Sequence, residues 1–426
     1  MRAGDNFCPG ILNAVPAKDG LLVRIRVPGG LLQPCQLAAV AAASRSHASS
    51  YMDITSRANL QLRGIADDSL PELTTRLTAA GLLPSPAHDR VRNIVSSPLA
   101  GRDPDELFDT ESLLRLLDQQ LLKDALLADL HPKFSIGLDG GGRWFSHEVD
   151  DISLRAFRAA DQIAWELFVA GSSSGLAFST EQAVNSLLKA ARTCLLACRR
   201  AAVAARGKNL VAMPDGMEKL RGALASAAVR HPTPEATHAI AEPPIGVHSG
   251  KRDGFSEIIP SIPLGRLSAL QASAIASMAT EHSLDLRLAP WRGIVMGPVA
   301  LCAVSEVLPQ LRGIGLSAED SEGFSGIVAC AGSEGCKASL ADVRRDAADL
   351  ARVLAPRERK PGWSVHMAGC EKQCAMRTPA TVKLVAGAGG YRLSGMDGSP
   401  PSTLSSGSAI GAIAAMHATL PSEVNR

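Results

Sequence analysis

Residues 326–384 read GIVACAGSEGCKASLADVRRDAADLARVLAPRERKPGWSVHMAGCEKQCAMRTPATVKL, and four of the chain's nine cysteines fall inside them. Cys330 and Cys336 are separated by five residues, Cys370 and Cys374 by three, and a helix-length segment lies between the pairs. Thiolates are soft ligands that suit iron–sulfur clusters and zinc, and a cubane cluster takes four of them. One short loop rarely reaches four corners, whereas two paired loops brought together by a fold do. Leu340, Val343, Ala347, Leu350 and Leu354 step by three and four, which predicts a helix with one apolar stripe. Asp342, Arg345, Asp349 and Arg352 fall on its other side. Zinc competes for the same cysteines, although its structural sites usually show gaps of two to four residues in both pairs. Four ordinary buried thiols are the third reading, and the loop glycines Gly332, Gly335 and Gly369 count against it.

A chain of 426 residues exceeds one ordinary core and predicts two or three domains. A hydrophobic content of 46% with 20% charged residues describes a soluble globular protein, and a net charge of +2 gives no case for a nucleic-acid partner. The N-terminus, MRAGDNFCPGIL, has no secretory pattern. The most apolar long stretch, residues 194–211, is broken by Arg199, Arg200, Arg206 and Lys208, so no membrane span is expected. An odd number of cysteines without a signal reads as reduced thiols and metal ligands in the cytoplasm.

Upstream, LLVRIRV (21–27) alternates apolar and basic residues like a half-exposed strand. Pro28-Gly29-Gly30 turns the chain, Pro34 opens a helix, and residues 51–55 and 60–65 read as extended. A shift of 235 residues lays this unit on a second copy: Pro28 on Pro263, Gly30 on Gly265, Gln36 on Gln271, His47 on His282 and Arg57 on Arg292. Further on, Ile94-Val95 pairs with Ile327-Val328, and Phe134-Ser135-Ile136 with Trp363-Ser364-Val365. The chain therefore reads as two related halves joined through residues 229–246, where Pro232, Pro234, Pro243 and Pro244 interrupt regular structure. Only the second half carries the four cysteines; residues 96–101 and 131–134 are taken as the matching loops of the first. Metal ligands in one half predict a site at the interface, with binding groups from the other half.

The spacing C-x5-C…C-x3-C, with A-G-C-E-K-Q-C as its second part, resembles the siroheme and iron–sulfur nitrite/sulfite reductase superfamily. The resemblance implies a [4Fe-4S] cluster on Cys330, Cys336, Cys370 and Cys374, with Cys374 nearest a second centre. It also implies an α+β fold of two pseudo-twofold related halves, each a ferredoxin-like half-domain plus an α/β module of the nitrite/sulfite reductase type. The expected partition is 1–85, 86–230, a linker at 231–246, 247–315, and 316–426 with the cluster and the tail. In an extended strand Arg57, Asn59, Gln61 and Arg63 share one face, which by periodicity alone is a solvated sheet face. The run SRANLQLRG (56–64) is similar to the family's T-T-R-Q-x-x-Q-x-x-G stretch, whose polar side chains face the tetrapyrrole. Arg24, Arg92 and Lys133 resemble the family's anion-binding Arg, Arg and Lys. Such a cationic pocket suits a ligand fringed with carboxylates, which Arg binds bidentately. One departure is Ser135, where sulfite reductases carry a second Lys; fewer charges suit reduction of a small oxyanion less well.

Within the superfamily, Cys8-Pro9-Gly10, the R-x-P-G-G at 26–30, SRANLQLRG, the Pro98–Gly101 loop and APWRG (289–293) are similar to the precorrin-3B synthase family. That implies a monooxygenase acting on precorrin-3A and O2 in aerobic cobalamin biosynthesis, with a mononuclear non-haem iron beside the cluster. Siroheme would take the iron's place in a nitrite or sulfite reductase. Electrons would come from a separate reductase or an NADH-linked donor, since Gly387–Gly390 lacks a dinucleotide fingerprint. His147 with the acids after it, His131, His47 and His366 are candidates for the second iron; none is singled out, and no catalytic residue is assigned. Cys194 and Cys198, one helical turn apart, read as core thiols. Residues 398–408 read as loop and 409–420 as a closing helix.

Overall fold

The computed structural model describes residues 8–143, 148–229, 245–319, 322–357, 360, 362–376, 379–395 and 402–419. Its first half runs β1 (Val15–Pro16), β2 (Leu21–Ile25), β3 (Leu31–Leu32), α1 (Pro34–His47), β4 (Tyr51–Ile54), β5 (Leu60–Ile65), α2 (Leu70–Ala79), β6 (Ile94–Ser96), α3 (Glu111–Lys123), β7 (Ile136–Asp139), β8 (Ile152–Ala159), β9 (Gln162–Val169), β10 (Ser172–Ser179), α4 (Thr180–Arg200), α5 (Gly207–Val211) and α6 (Gly216–Leu224). The second half repeats the pattern as β11 (Gly246–Ser249), β12 (Phe255–Ile259), β13 (Arg266–Ser268), α7 (Ala269–Glu281), β14 (Asp285–Ala289), β15 (Gly293–Ala300), α8 (Leu301–Gly313), β16 (Ile327–Ala329), α9 (Gly332–Gly335), α10 (Val343–Leu354), β17 (Val365–Ala368), β18 (Val382–Gly387), β19 (Gly390–Gly395), β20 (Ser402–Leu404) and α11 (Ser406–Thr419). Most of the predicted junction, residues 230–244, lies outside the described residues, as do His147 and residues 396–401.

The repeat is visible in the helix starts. Pro34 opens α1 at a position where its missing N–H costs nothing, and Gln33 and Gln36 cap each other's backbone. Ser268 and Gln271 form the same capping box on α7. The two halves then lend each other a strand. The sheet β1-β2-β5-β4 is completed by β13, and the sheet β11-β12-β15-β14 by β3. The hand-over turns on Gly30, whose φ is +72°; a Cβ there would sit 2.1 Å from the Leu288 carbonyl oxygen. Val23, Ile25, Leu37, Leu60 and Leu62 of the first half and Leu267, Ile275, Leu286 and Ile294 of the second bury in one common core. Truncating Leu267, fully buried on its lent strand, to Ala should cost about 2–5 kcal/mol.

Each half also carries a mixed five-stranded sheet, β6-β7-β8-β9-β10 and β16-β17-β18-β19-β20, with its first three strands parallel. The first packs Ile136, Leu138, Ile152 and Leu154 against α4, where Cys194 and Cys198 are buried as core thiols. The second packs Ile327, Val365, Met367 and Leu384 against α10 and α11. Helix α10 lies between the cysteine pairs as the stripe requires, burying Val343, Ala347, Leu350 and Leu354. Leu340 departs from the prediction. It precedes the Asp342 cap and is 63% exposed, because the loop after Cys336 returns to Gly369 before the helix begins. The tail departs too, since β20 and the first turn of α11 occupy part of the expected loop. Among the described residues no helix is long and apolar enough to cross a membrane.

Candidate functional site

Parallel strands β16 and β17 pair in register, Ile327 with Val365 and Ala329 with Met367. The loops at their C-terminal ends therefore emerge side by side, Cys330 and Cys336 in one and Cys370 and Cys374 in the other. The Cys330 N–H donates to the Met367 carbonyl (3.2 Å), the Leu340 N–H to Gly369 (2.8 Å), and the Gly369 N–H to the Cys330 sulfur (3.2 Å). All four are free thiols, and Cys374 is the exposed one. Burial pushes the Cys374 thiol up, and the thiols of Cys330, Cys336 and Cys370 push it further, so the four share one neighbourhood. Among the described residues no three His, Cys, Asp or Glu side chains are close enough to grip a single ion. Sulfurs that share a neighbourhood without closing on one point suit a multi-iron cluster better than one tetrahedral zinc. An N–H aimed at a sulfur fits the same donor set.

Facing these loops is the first half's sheet. Arg24 on β2 lies opposite Gln61 on β5, and its guanidinium donates to the Gln61 side chain (3.0 Å). Burial lowers the Arg24 pKa, the guanidinium groups of Arg57 and Arg292 lower it further, and Cys8 and Glu148 oppose them. Arg57 pairs with Glu148 at 3.2 Å, and the Ser56 hydroxyl donates to the same carboxylate. Arg292 donates to the Ala375 carbonyl, next to Cys374; burial lowers its pKa, while Glu148, Asp53 and Cys374 raise it. Asp53 is itself held by Arg344 (2.9 Å) and Arg266 (3.7 Å). The Nε atoms of Arg24 and Arg57 are buried without a partner. Three cations thus gather around one carboxylate, with donors to spare.

The other expected pocket residues go elsewhere. Arg63 donates two hydrogen bonds to the Asp19 carboxylate (3.0 Å each) and a third to the Gly335 carbonyl, so it braces the Cys330–Cys336 loop. Arg92 is clamped on Asp118 of α3 (2.6 and 2.7 Å). Asn59 is buried, accepting from the Val27 N–H (2.8 Å) and donating to the Asn93 carbonyl oxygen of its side chain (3.0 Å). Lys133 is exposed. His366 is buried on β17 with Nε2 unpartnered; burial, then Lys383 and Arg292, push it down to about 4. His131 accepts from the Lys133 N–H, His47 ends α1, and the three do not meet an acid in a set of three among the described residues.

Arg292 was not among the expected pocket residues, although its alignment with Arg57 in the repeat was the signal that could have found it. The proposed match between residues 131–134 and the second cysteine loop is corrected. Residues 131–134 precede β7, whereas Cys370 and Cys374 follow β17, so their counterpart is the loop from Gly140, which carries Glu148 and Asp150. At the opposite, pseudo-equivalent interface, Arg287 donates to the Ala100 carbonyl (2.6 Å) and pairs with Glu111 (2.6 Å). Arg102 pairs with Glu257 (3.0 Å) and Asp285 (2.6 Å), and a cavity of about 230 Å³ lies among them.

Comparison with known proteins agrees with this architecture. Residues 15–80 match the nitrite/sulfite reductase ferredoxin-like half domain, and residues 87–198 match the nitrite and sulphite reductase 4Fe-4S domain. A precorrin-3B synthase from Sinorhizobium sp is 30% identical over 402 residues, covering 92% of this chain and 83% of that one. The chain belongs to the nitrite and sulfite reductase superfamily. A ferredoxin–nitrite reductase from Synechococcus elongatus is 26% identical over 387 residues, covering 85% of this chain and 76% of its own. The Mycobacterium tuberculosis NirA protein superposes with a TM-score of 0.77 at 22% identity, over 94% of this chain and 80% of that one. The fold is therefore the superfamily's, a ferredoxin-like half-domain and a reductase-type module in each of two halves. The superfamily's relatives here are oxidoreductases, and its 4Fe-4S domain supports an iron–sulfur cluster. The module matched, 87–198, is the copy whose own cysteines, Cys194 and Cys198, are core thiols; the loop thiols belong to the second copy.

Proposed function

We propose that the protein hydroxylates precorrin-3A at C20 with O2 and closes the γ-lactone from its ring A acetate, in the cytoplasmic, aerobic route to cobalamin. The observation that carries this is the likeness over 402 residues to the Sinorhizobium relative of that name. The cleft supports it. Precorrin-3A carries several acetate and propionate arms, and Arg24 and Arg57 offer unspent donors, with Arg292 buried near them, in a setting where guanidinium–carboxylate bonds are strong. Gln61 fixes the Arg24 guanidinium, and Arg92 and Lys133 would extend the cationic wall, Arg92 by leaving Asp118. Holding the arms places C20, and position is worth much of the barrier in such a reaction. Ser135, in place of a second Lys, keeps the wall less charged than a sulfite reductase's.

Cys330, Cys336, Cys370 and Cys374 are the residues we assign to the cluster, which when bound supplies electrons one at a time. They come from a separate reductase or an NADH-linked donor; Gly387–Gly390 is the hairpin turn between β18 and β19, not a nucleotide loop. A mononuclear iron held by two His and a carboxylate finds no such set among the described residues, so it receives no ligand and no step here. The partition of the chain into two half-domains, two modules and a linker at 231–246 belongs to the same reading.

The second reading, a siroheme-dependent nitrite or sulfite reductase, draws on the Synechococcus relative. Anaerobically purified protein separates the two. With precorrin-3A, O2 and a reductant, the first reading expects a lactone product and a cluster spectrum without an intense chlorin band. A strong chlorin band with turnover of nitrite or sulfite would establish the second and sink the first.

A further inference from the structure

Strand β5 sends its polar side chains to two places. Gln61 meets Arg24 in the cleft, whereas Arg63, two residues on, reaches the turn between Cys330 and Cys336. Its Nη2 donates to the carbonyl of Gly335, the residue before Cys336, and Gly335 leaves the room for it: a Cβ there would lie 2.8 Å from that nitrogen. Nε and Nη2 also donate to the two oxygens of Asp19 in the β1–β2 turn (3.0 Å each). One residue earlier, the Lys18 ammonium donates to the Ser333 carbonyl (2.7 Å). Two cations of the first half thus hold two carbonyls of α9, the four-residue turn that separates two of the cluster cysteines. The Arg63 side chain is 8% exposed and that of Asp19 27%, so water screens the anion more than the cation. The charge set against the Gly335–Cys336 peptide is therefore net positive. Bracing alone does not require it. A neutral donor would hold a carbonyl, whereas a guanidinium taken out of water costs desolvation.

We infer that Arg63 is a positioning residue for the cluster, which fixes the Cys330–Cys336 loop and by its charge raises the potential at which a cluster held there takes up an electron. Reduction adds negative charge to an iron–sulfur cluster, and its potential follows the charges and hydrogen bonds around it. Asp19 opposes Arg63, and the balance of the pair sets the potential. One electron arrives from the external reductant; no bond forms or breaks and no proton moves. This role rests on the assignment of the cluster to these four cysteines. It holds for either reaction considered above, since both draw on the cluster for electrons.

Redox titration of the anaerobic holoprotein, read at the iron–sulfur absorbance, tests this without turnover. At a poise where the wild-type cluster is half reduced, Arg63→Met should lower the reduced-to-oxidised ratio about tenfold, a shift of about 59 mV for a one-electron couple. Asp19→Asn should raise the ratio, by less, because its carboxylate is the better screened partner. Loss of a merely structural contact would move both variants in one direction or not at all, since each breaks the same pair. Arg63→Lys keeps the charge and should stay within about twofold of wild type. Lys18→Met should lower the ratio slightly, an effect that about 1 M salt removes while the Arg63→Met difference persists. Arg76→Met, at an exposed pair on α2, should change nothing. A cluster whose potential is unmoved in Arg63→Met, or shifts of one sign in Arg63→Met and Asp19→Asn, overturns the inference and leaves the cluster reading standing. Should Arg63→Met assemble no cluster, Asp19→Asn decides alone: an upward shift supports the role and its absence overturns it. A wild type with zinc or no metal at these sulfurs defeats the cluster reading and the role of Arg63 with it.

Discussion

The molecule contains the same interface twice, once between the first half's sheet and the cysteine loops, and once between the second half's sheet and the Pro98–Arg102 loop. Ser97 follows β6 where Cys330 follows β16, and Gly140-Gly141 follow β7 where Gly369-Cys370 follow β17. At the second interface each cation has a carboxylate of its own: Arg287 and Arg102 pair with Glu111, Glu257 and Asp285, and Arg287 also reaches two backbone carbonyls, although its Nε is buried without a partner. At the first, Arg24, Arg57 and Arg292 crowd one Glu148. Like charges crowded on one carboxylate destabilise a fold, and cations that each meet a carboxylate of their own do so less. We read the first copy as the one that takes a ligand and the second as a docking contact.

Five substitutions sharpen or break that contrast. The largest effect should come from Cys370→Ser, which should abolish the iron–sulfur absorbance and labile sulfide, whereas Ser97→Ala should leave both unchanged. Asp150→Asn should come next, in stability. Its folded pKa is raised from 3.8 to about 7, so stability is complete below about pH 4 and is lost as pH rises through 7. The variant cannot ionise, so its advantage should be nil near pH 4 and reach roughly 4 kcal/mol by pH 8 in chemical denaturation. Arg287→Met should cost about 3 kcal/mol of stability by taking the buried donor from the Ala100 carbonyl and leaving Glu111 with Arg115 alone, with no change in tetrapyrrole affinity. Arg57→Met should do the reverse, weakening binding of precorrin-3A about tenfold in a fluorescence titration while changing stability little. If Arg287→Met weakened binding and Arg57→Met did not, the roles of the two interfaces would be exchanged.

Much of this was legible in the sequence because the repeat is legible. The 235-residue shift lays α1 on α7 and Arg57 on Arg292, and the step of three and four from Val343 to Leu354 places α10. The strand exchange was not legible. β3 and β13 are two and three residues long, and their partners lie in the other half, so no local pattern announces them. The site residues show the same limit. Alternation puts Gln61 and Arg63 on one face of β5, but it cannot say that Asp19 and Gly335 stand opposite Arg63 while Arg24 stands opposite Gln61. Nor does the spacing of Arg92 reveal Asp118 on α3. Periodicity reports a face; the partner on the far side is a tertiary fact.

X-ray diffraction from crystals of the holoprotein at the iron absorption edge tests the contrast most directly. The account predicts anomalous density for a multi-iron cluster among Cys330, Cys336, Cys370 and Cys374, facing Arg24, Arg57 and Arg292, and none beside Ser97 and Gly141. A single zinc among those sulfurs, or iron at the Pro98–Arg102 loop, would contradict it.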